Sequence, residues 1–359
     1  MRRLRLFAAL VAALAISLAV AVGCGGGGGG GEGEDTGGGE GGGAEQEAAL
    51  VLDVGGLGDQ SFNDSAFAGL EEADAEFSTG TEYLESSAPT DYVNNLTQLA
   101  ESGYNPVFAI GFLMTDAVTE VAPQFPDTNF AIVDSVVPDM ENVASLTFRD
   151  EEGGYLAGVV AGGMTQEDTE FTTSDEQVVG FLGGQESDLI GTFQAGYEAG
   201  VESVCPDCEV IVQYAGTTPE AFNDPARGNE ISLQQINDGA DVIYHASGAT
   251  GAGLFEAASG EGVFAIGTDS DQAASAPDAP ILTSAIKGVD SGVFQTIEAQ
   301  QNGEFPGGEV QDLGLAEGGY ELAPFGDYDD QVPQEVKDQV EEATQGIIDG
   351  DIEVPDTPQ

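Results

Sequence analysis

Short apolar runs that stop at Gly or Asp recur along this chain, with helix-period segments between them, and this alternation restricts the fold more than any other feature. The run 50–52 stops at Asp53, 107–110 at Gly111, 130–133 at Asp134 and 178–182 at Gly183; further runs cover 209–214, 241–244 and 263–266. Helical spacing predicts helices over 90–102, 114–124, 151–163, 187–203, 226–238 and 250–259. Strands separated by amphipathic helices must cross over, so they form a parallel sheet with helices on its faces. The expected class is α/β. Strand after strand ending in Gly or Asp gives the expectation that the strand ends share one cleft, the usual place for a ligand in an open α/β sheet.

The first such end carries the richest chemistry. In 51–70, VLDVGGLGDQSFNDSAFAGL, a strand is followed by a glycine turn and then by Ser61, Asn63 and Asp64, all competent helix N-caps. Asp53, Asp59, Ser61, Phe62 and Asn63 combine carboxylates, a hydroxyl, an amide and a ring, which suits a neutral polar ligand with a flat ring. The plainer alternative is that the polar residues are turn and cap residues and Phe62 is core.

Residues 1–23 carry Arg2, Arg3 and Arg5 ahead of an apolar run over 6–22, the form of an export signal. Ala21-Val22-Gly23-Cys24 has the form of a lipobox, so Cys24 is the expected acylated N-terminus, holding the protein at the outer face of a membrane. Residues 24–47, mostly glycine with scattered acids, have nothing to bury and read as a tether. The remaining stretch of roughly 310 residues is long enough for two lobes.

Outside the signal only Arg149, Arg227, Lys287 and Lys337 face 65 acidic residues. Such a surface excludes nucleic acid as a partner and suggests a salt-adapted, halophilic protein. Lys287 beside clustered carboxylates is expected to be charge-compensated; Arg149 and Arg227 are expected to be structural. Cys205-Pro-Asp-Cys208 could be a redox pair or half a metal site; a local disulfide is the preferred reading, because the one histidine, His245, and the one other cysteine, Cys24, complete no metal set. No dinucleotide fingerprint or nucleophile elbow occurs. The chain is therefore expected not to be an enzyme and to need no cofactor or metal.

Taken in order, DVGGLGDQSFNDSAFAGL (53–70), FAIGFLMTDAV (108–118), NVASLTFRDEEGGYLAGVVAG (142–162), VGFLGG with FQAGYEAGV (179–201), FNDPARG with GADVIYHASGATGAGLFEAA (222–258) and IGTDSDQ with ILTSAIKGVD (266–290) resemble the basic membrane protein family of solute-binding lipoproteins. That resemblance implies a type I periplasmic-binding fold, two doubly wound parallel-sheet lobes joined by a hinge. The lobes would be 48–150 plus 285–325, and 151–284, followed by an acidic helix and a frayed tail over 326–359.

It further implies a nucleoside, purine favoured, held in the interlobe cleft and delivered to the permease of an ABC importer. Carried over residue by residue, Phe62 and Phe222 match the stacking rings. Asp53, Asp59 and Asn63 match polar groups of the first turn, Gly111 and Asp134 match strand-end contacts, Asp269 matches the ribose carboxylate, and Lys287 matches the family's lysine. Glu186 is added to the ligand set although its turn, 183–188, departs from the family's small-apolar version. Alternatives are a nucleoside or small-solute sensor with a membrane signalling partner and, less favoured, a nucleoside hydrolase.

Overall fold

The computed structural model describes residues 47–174 and 176–358. The signal, Cys24 and the tether up to residue 46 lie outside the described residues. In chain order the elements are β1 (Glu47–Leu52), α1 (Phe62–Phe77), β2 (Gly80–Glu85), α2 (Tyr92–Ser102), β3 (Val107–Ile110), α3 (Thr115–Val121), β4 (Phe130–Val133), β5 (Val143–Phe148) and α4 (Asp150–Met164). There follow β6 (Val178–Gln185), α5 (Asp188–Val204), β7 (Glu209–Gly216), α6 (Pro225–Asn237), β8 (Ala240–Ala246), α7 (Ala252–Glu261) and β9 (Phe264–Asp269). The last elements are β10 (Ile281–Lys287), α8 (Val289–Gln301), β11 (Val310–Leu313), β12 (Tyr320–Leu322) and α9 (Gln334–Ile348).

Two sheets result, ordered β11-β5-β4-β3-β1-β2 and β12-β10-β9-β8-β6-β7. All pairings are parallel except β12, which runs antiparallel to β10. The central strands β1, β3, β4 and β8 are buried along almost their whole length, because helices cover both faces, and this is why they read as unbroken apolar runs. One apolar core joins Leu50, Leu70 and Phe108 of the first sheet and its helix to Phe181, Tyr244 and Phe264 of the second by way of Leu156 and Tyr197.

The chain crosses between the sheets at Arg149, at Gly288 and within 314–319. The boundaries expected for the returning piece, 285–325, need correction. Lys287 still belongs to β10, which pairs with β9, and Tyr320 pairs back onto Lys287 through β12; only α8 and β11 join the first sheet's side. The terminal segment is not frayed. Ile352 and Val354 pack on the core, and Pro358 lies 3.7 Å from where a Cβ on Gly191 would stand. Cys205 and Cys208 form a disulfide in the loop between α5 and β7. Among the described residues, no helix is long and apolar enough to cross a membrane.

Two of the few basic side chains join the crossings. Arg149 pairs with Glu152 at 2.6 Å, with Asp312 at 3.4 Å and with Glu317, tying the first crossing to the third. Lys287 at the second crossing reaches Asp150 at the first over 2.9 Å, and the Tyr320 hydroxyl from the third donates to the same carboxylate. Arg227, by contrast, pairs with Glu230 on the exposed face of α6 at 2.7 Å.

Candidate functional site

The carboxyl ends of both sheets face one cleft of about 620 Å³, a volume that includes space open to solvent. Asp53 after β1, Gly111 after β3 and Asp134 after β4 reach it from the first sheet; Ala246 of β8, Asp269 of β9 and Lys287 of β10 reach it from the second. Asp59, Phe62 and Asn63 of the first turn line it, as does Phe222. Of the residues proposed from sequence, Glu186 is the one that the structure does not bring in. Its side chain is exposed and its backbone N–H is engaged by the Gly216 carbonyl at 2.8 Å; one turn on, Leu189 and Ile190 fill the wall instead.

Each polar group has its own setting. Asp59 spends both oxygens on the turn: Oδ1 accepts the Ser61 and Asp64 N–H groups and Oδ2 accepts the Asn63 N–H and Nδ2, all at 2.9–3.1 Å. It therefore caps α1, the role for which Ser61, Asn63 and Asp64 are the sequence candidates, and leaves the Ser61 hydroxyl to donate across the cleft to Asp269. Asn63 Oδ1 accepts the Asp53 N–H at 3.0 Å and so fixes the strand end. Asp53 Oδ1 takes the Val54 N–H and the Tyr92 hydroxyl, while Oδ2 lies where a Cβ on Gly111 would come within 2.6 Å, so residue 111 has no room for a side chain. Gly184 likewise makes room for Phe222, since a Cβ there would stand 2.4 Å from the ring.

Burial dominates the electrostatics. It pushes the Asp53 carboxyl up to about 6 against the pull of Tyr92, and Asp269 up to about 6 against the opposing pull of Lys287. Burial disfavours the Lys287 ammonium too, but Asp134, Asp150 and Asp269 outweigh it and hold the lysine charged. Its Nζ lies 2.7 Å from Asp134 and 2.9 Å from Asp150. Asp150 is itself raised to about 7 by burial, despite that lysine. An ammonium has three donors, one more than the two carboxylates it pairs with. The Phe62 ring stands 5.5 Å from Nζ and that of Phe193 5.4 Å.

One cation among several carboxylates makes the cavity acidic and rich in acceptors. It disfavours anions and suits a neutral molecule with hydroxyl or N–H donors. Among the described residues no group of His, Cys, Asp and Glu could hold a metal. The lining residues that the sequence does not single out include Phe112, whose ring meets Phe222 edge-on at 6.4 Å, Phe193 and Ser247. Ser247 directly follows the end of β8 and Phe112 stands two residues past the end of β3, close to the signal that marks the others. Phe193 belongs to the apolar stripe of α5, a pattern that a core residue shares.

The chain has relatives in sequence and in fold. A "CD4+ T-cell-stimulating antigen" of Listeria monocytogenes is 38% identical over 86% of this chain and 88% of its own. An "ABC transporter nucleoside-binding protein BmpA" of Lactococcus lactis is 37% identical over 86% and 89%. The crystal structure of an ABC transporter solute-binding protein from Aeropyrum pernix superposes with a TM-score of 0.78 at 28% identity, covering 88% of this chain and 94% of that one. The family model described as "ABC transporter substrate-binding protein PnrA-like" matches residues 46–358, and the chain belongs to this Bmp family of ABC-transporter solute-binding proteins, which are not enzymes.

Proposed function

We propose that the protein captures a nucleoside, purine favoured, between its two lobes and delivers it to the permease of an ABC importer. The observation that carries this is the joining of Phe62 from the first sheet's side and Phe222 from the second's around one cavity with Asp53, Asp269 and Lys287. Rings from both sides suit a flat base; Asp269 is placed to accept from ribose hydroxyls and Asp53 from a base edge, while Lys287 supplies its spare donor. Asp59 and Asn63 shape the turn, and Asp134 holds the lysine. The acidity argues for nucleosides over nucleotides, and the name of the Lactococcus relative, a nucleoside-binding protein, agrees with the class of ligand. The sequence of 1–46 supports export and a lipid anchor at Cys24, with the glycine-rich stretch as a leash.

The test is calorimetric titration of refolded, ligand-stripped protein in high salt against guanosine, adenosine, inosine, uridine, cytidine, ribose and a nucleoside monophosphate. One-to-one binding of purine nucleosides is expected, with the monophosphate much weaker. Phe222→Ala should weaken binding by about 1–3 kcal/mol, the worth of one base stacked on a ring. Silence of folded protein across the panel would sink the nucleoside assignment.

A further inference from the structure

His245, the sole histidine, is completely buried on β8 and does not line the cavity. Its ring joins two residues that matter to the cleft. Nδ1 lies 3.2 Å from the hydroxyl of Ser247, a wall residue, and Nε2 lies 2.8 Å from Gln272 Oε1. The partners settle the tautomer. Gln272 Oε1 also accepts the Thr268 backbone N–H at 2.8 Å, which marks it as the carbonyl end of the amide; Nε2 must donate to it, and Nδ1 must accept from Ser247. Burial holds the ring neutral, its pKa lowered to about 4, so this arrangement persists at physiological pH. Gly251 gives the imidazole its space: a Cβ there would stand 2.2 Å from the ring.

With its carbonyl end held, Gln272 can point its Nε2 only one way. It donates across the cleft to the Gln60 backbone carbonyl at 2.9 Å, and the Ser270 hydroxyl donates to the same carbonyl at 3.0 Å. Beside them Ser61 donates to Asp269. Gln60 and Asp269 face each other from different lobes, and both are non-glycine residues in the left-handed region, φ 54° and 65°. Such conformations persist only where the surroundings impose them. Asp64 imposes the first by accepting the N–H groups of Gly58 at 2.7 Å and Gln60 at 2.9 Å. A Gln272 amide turned the other way would set a carbonyl against a carbonyl, and the His245 N–H prevents that turn.

We propose that His245 and Gln272 are positioning residues for lobe closure: the imidazole, connected to the cavity wall through Ser247, orients the Gln272 amide that clamps the Gln60 carbonyl and so retains the bound solute. The role rests on the solute-binding reading of the cavity, because retention requires a solute. The clamp acts on release rather than capture, since its bonds exist only when the lobes are together.

Two readouts on the full chain test this: the radius of gyration without ligand, by small-angle scattering, and guanosine release in a stopped-flow chase. Gln272→Leu should enlarge the ligand-free radius and speed release about tenfold, the equivalent of one lost hydrogen bond, with association changed by less than about threefold. Ser270→Ala, a change outside the buried network, should shift both in the same direction. His245→Leu should behave like Gln272→Leu, and His245→Gln, whose amide N–H can still donate to Gln272, should restore slow release. If His245 only fills space, His245→Leu lowers the melting temperature and moves neither readout, which overturns its part. Wild-type radius and release in both Ser270→Ala and whichever of Gln272→Leu and His245→Leu folds would overturn the latch. If guanosine does not bind wild-type protein, the nucleoside reading fails separately, and the ligand-free radius alone decides the latch.

Discussion

Lys287 is almost fully buried, and its place explains why a chain so poor in basic residues keeps it. It neutralises Asp134 at the end of β4 and Asp150 at the first crossing, so one side chain links the site wall to the hinge. Replacing it with Met would leave two buried carboxylates uncompensated, and removing one partner of a buried ion cluster costs about 3–5 kcal/mol. Lys287→Met should lower stability by that amount in urea unfolding, and adding Asp150→Asn should return part of it; a single variant as stable as the wild type would mean that water reaches the carboxylates. The scarcity of basic residues made this lysine legible from sequence, as did the Asp at the end of each strand. Phe112 and Phe193 were not, since an aromatic beside an apolar run has the same pattern whether it faces a core or a cavity. Glu186 was misplaced because β6 runs on through Gly183 and Gly184 to Gln185, and the extra residues carry the acid past the cavity mouth.

At the scale of elements, the helix pair α4 and α5 sets the geometry of both site and hinge. Asp150 opens α4, while Ile190 and Phe193 on the first turns of α5 line the cavity. The two helices touch backbone to backbone. A Cβ on Gly154 would stand 2.4 Å from the Phe193 carbonyl, on Gly158 2.2 Å from that of Tyr197, on Gly196 2.0 Å from that of Glu151 and on Gly200 2.1 Å from that of Tyr155. Carbonyls cannot yield as a flexible side chain can, so Gly158→Ala should destabilise by about 1–3 kcal/mol even though alanine is the better helix former. Gly260→Ala at an exposed position of α7, where a Cβ meets nothing, should instead stabilise by roughly 0.5–1 kcal/mol. Equal urea midpoints for the two variants would refute close packing as the reason for these glycines. The glycine spacing was visible in the sequence, but what it packed against was not. Buried strands were legible because both faces are apolar. β2, with the sequence GTEYLE, was passed over because it is a sheet edge with largely exposed side chains. The run that became β10 was equally apolar for either sheet, so only its pairing with β9 and β12 fixes the lobe boundary.

The molecule as a whole carries a formal charge of −58, and burial has raised selected carboxyls on top of that repulsion. Asp53, Asp241 and Asp269 stand at about 6, and Asp150 and Glu151 at about 7, each raised chiefly by burial. A carboxyl whose folded value exceeds its unfolded one, about 4, binds protons more readily in the native state. Its contribution is fully present below about pH 4 and is lost as pH rises through 6 to 7. His245 works in the opposite sense: with a folded value of about 4 against an ordinary 6.5, it destabilises the native state as pH falls through that interval, but it is one group against several. The melting temperature of ligand-free protein should therefore rise as pH falls from about 8 to about 5.5. It should also rise with salt at every pH, as the screening length shrinks from about 10 Å at 0.1 M to about 3 Å at 1 M. Nucleoside affinity should move the other way with pH, because protonated Asp53 and Asp269 lose their strength as acceptors for ligand hydroxyl and N–H groups. Melting curves and calorimetric titrations over the same pH series at fixed high salt would check the pair. A melting temperature that falls steadily with acidification would mean that the cleft carboxyls are solvated. A rise in stability accompanied by unchanged affinity would place those carboxyls in the cavity wall without a part in holding the ligand.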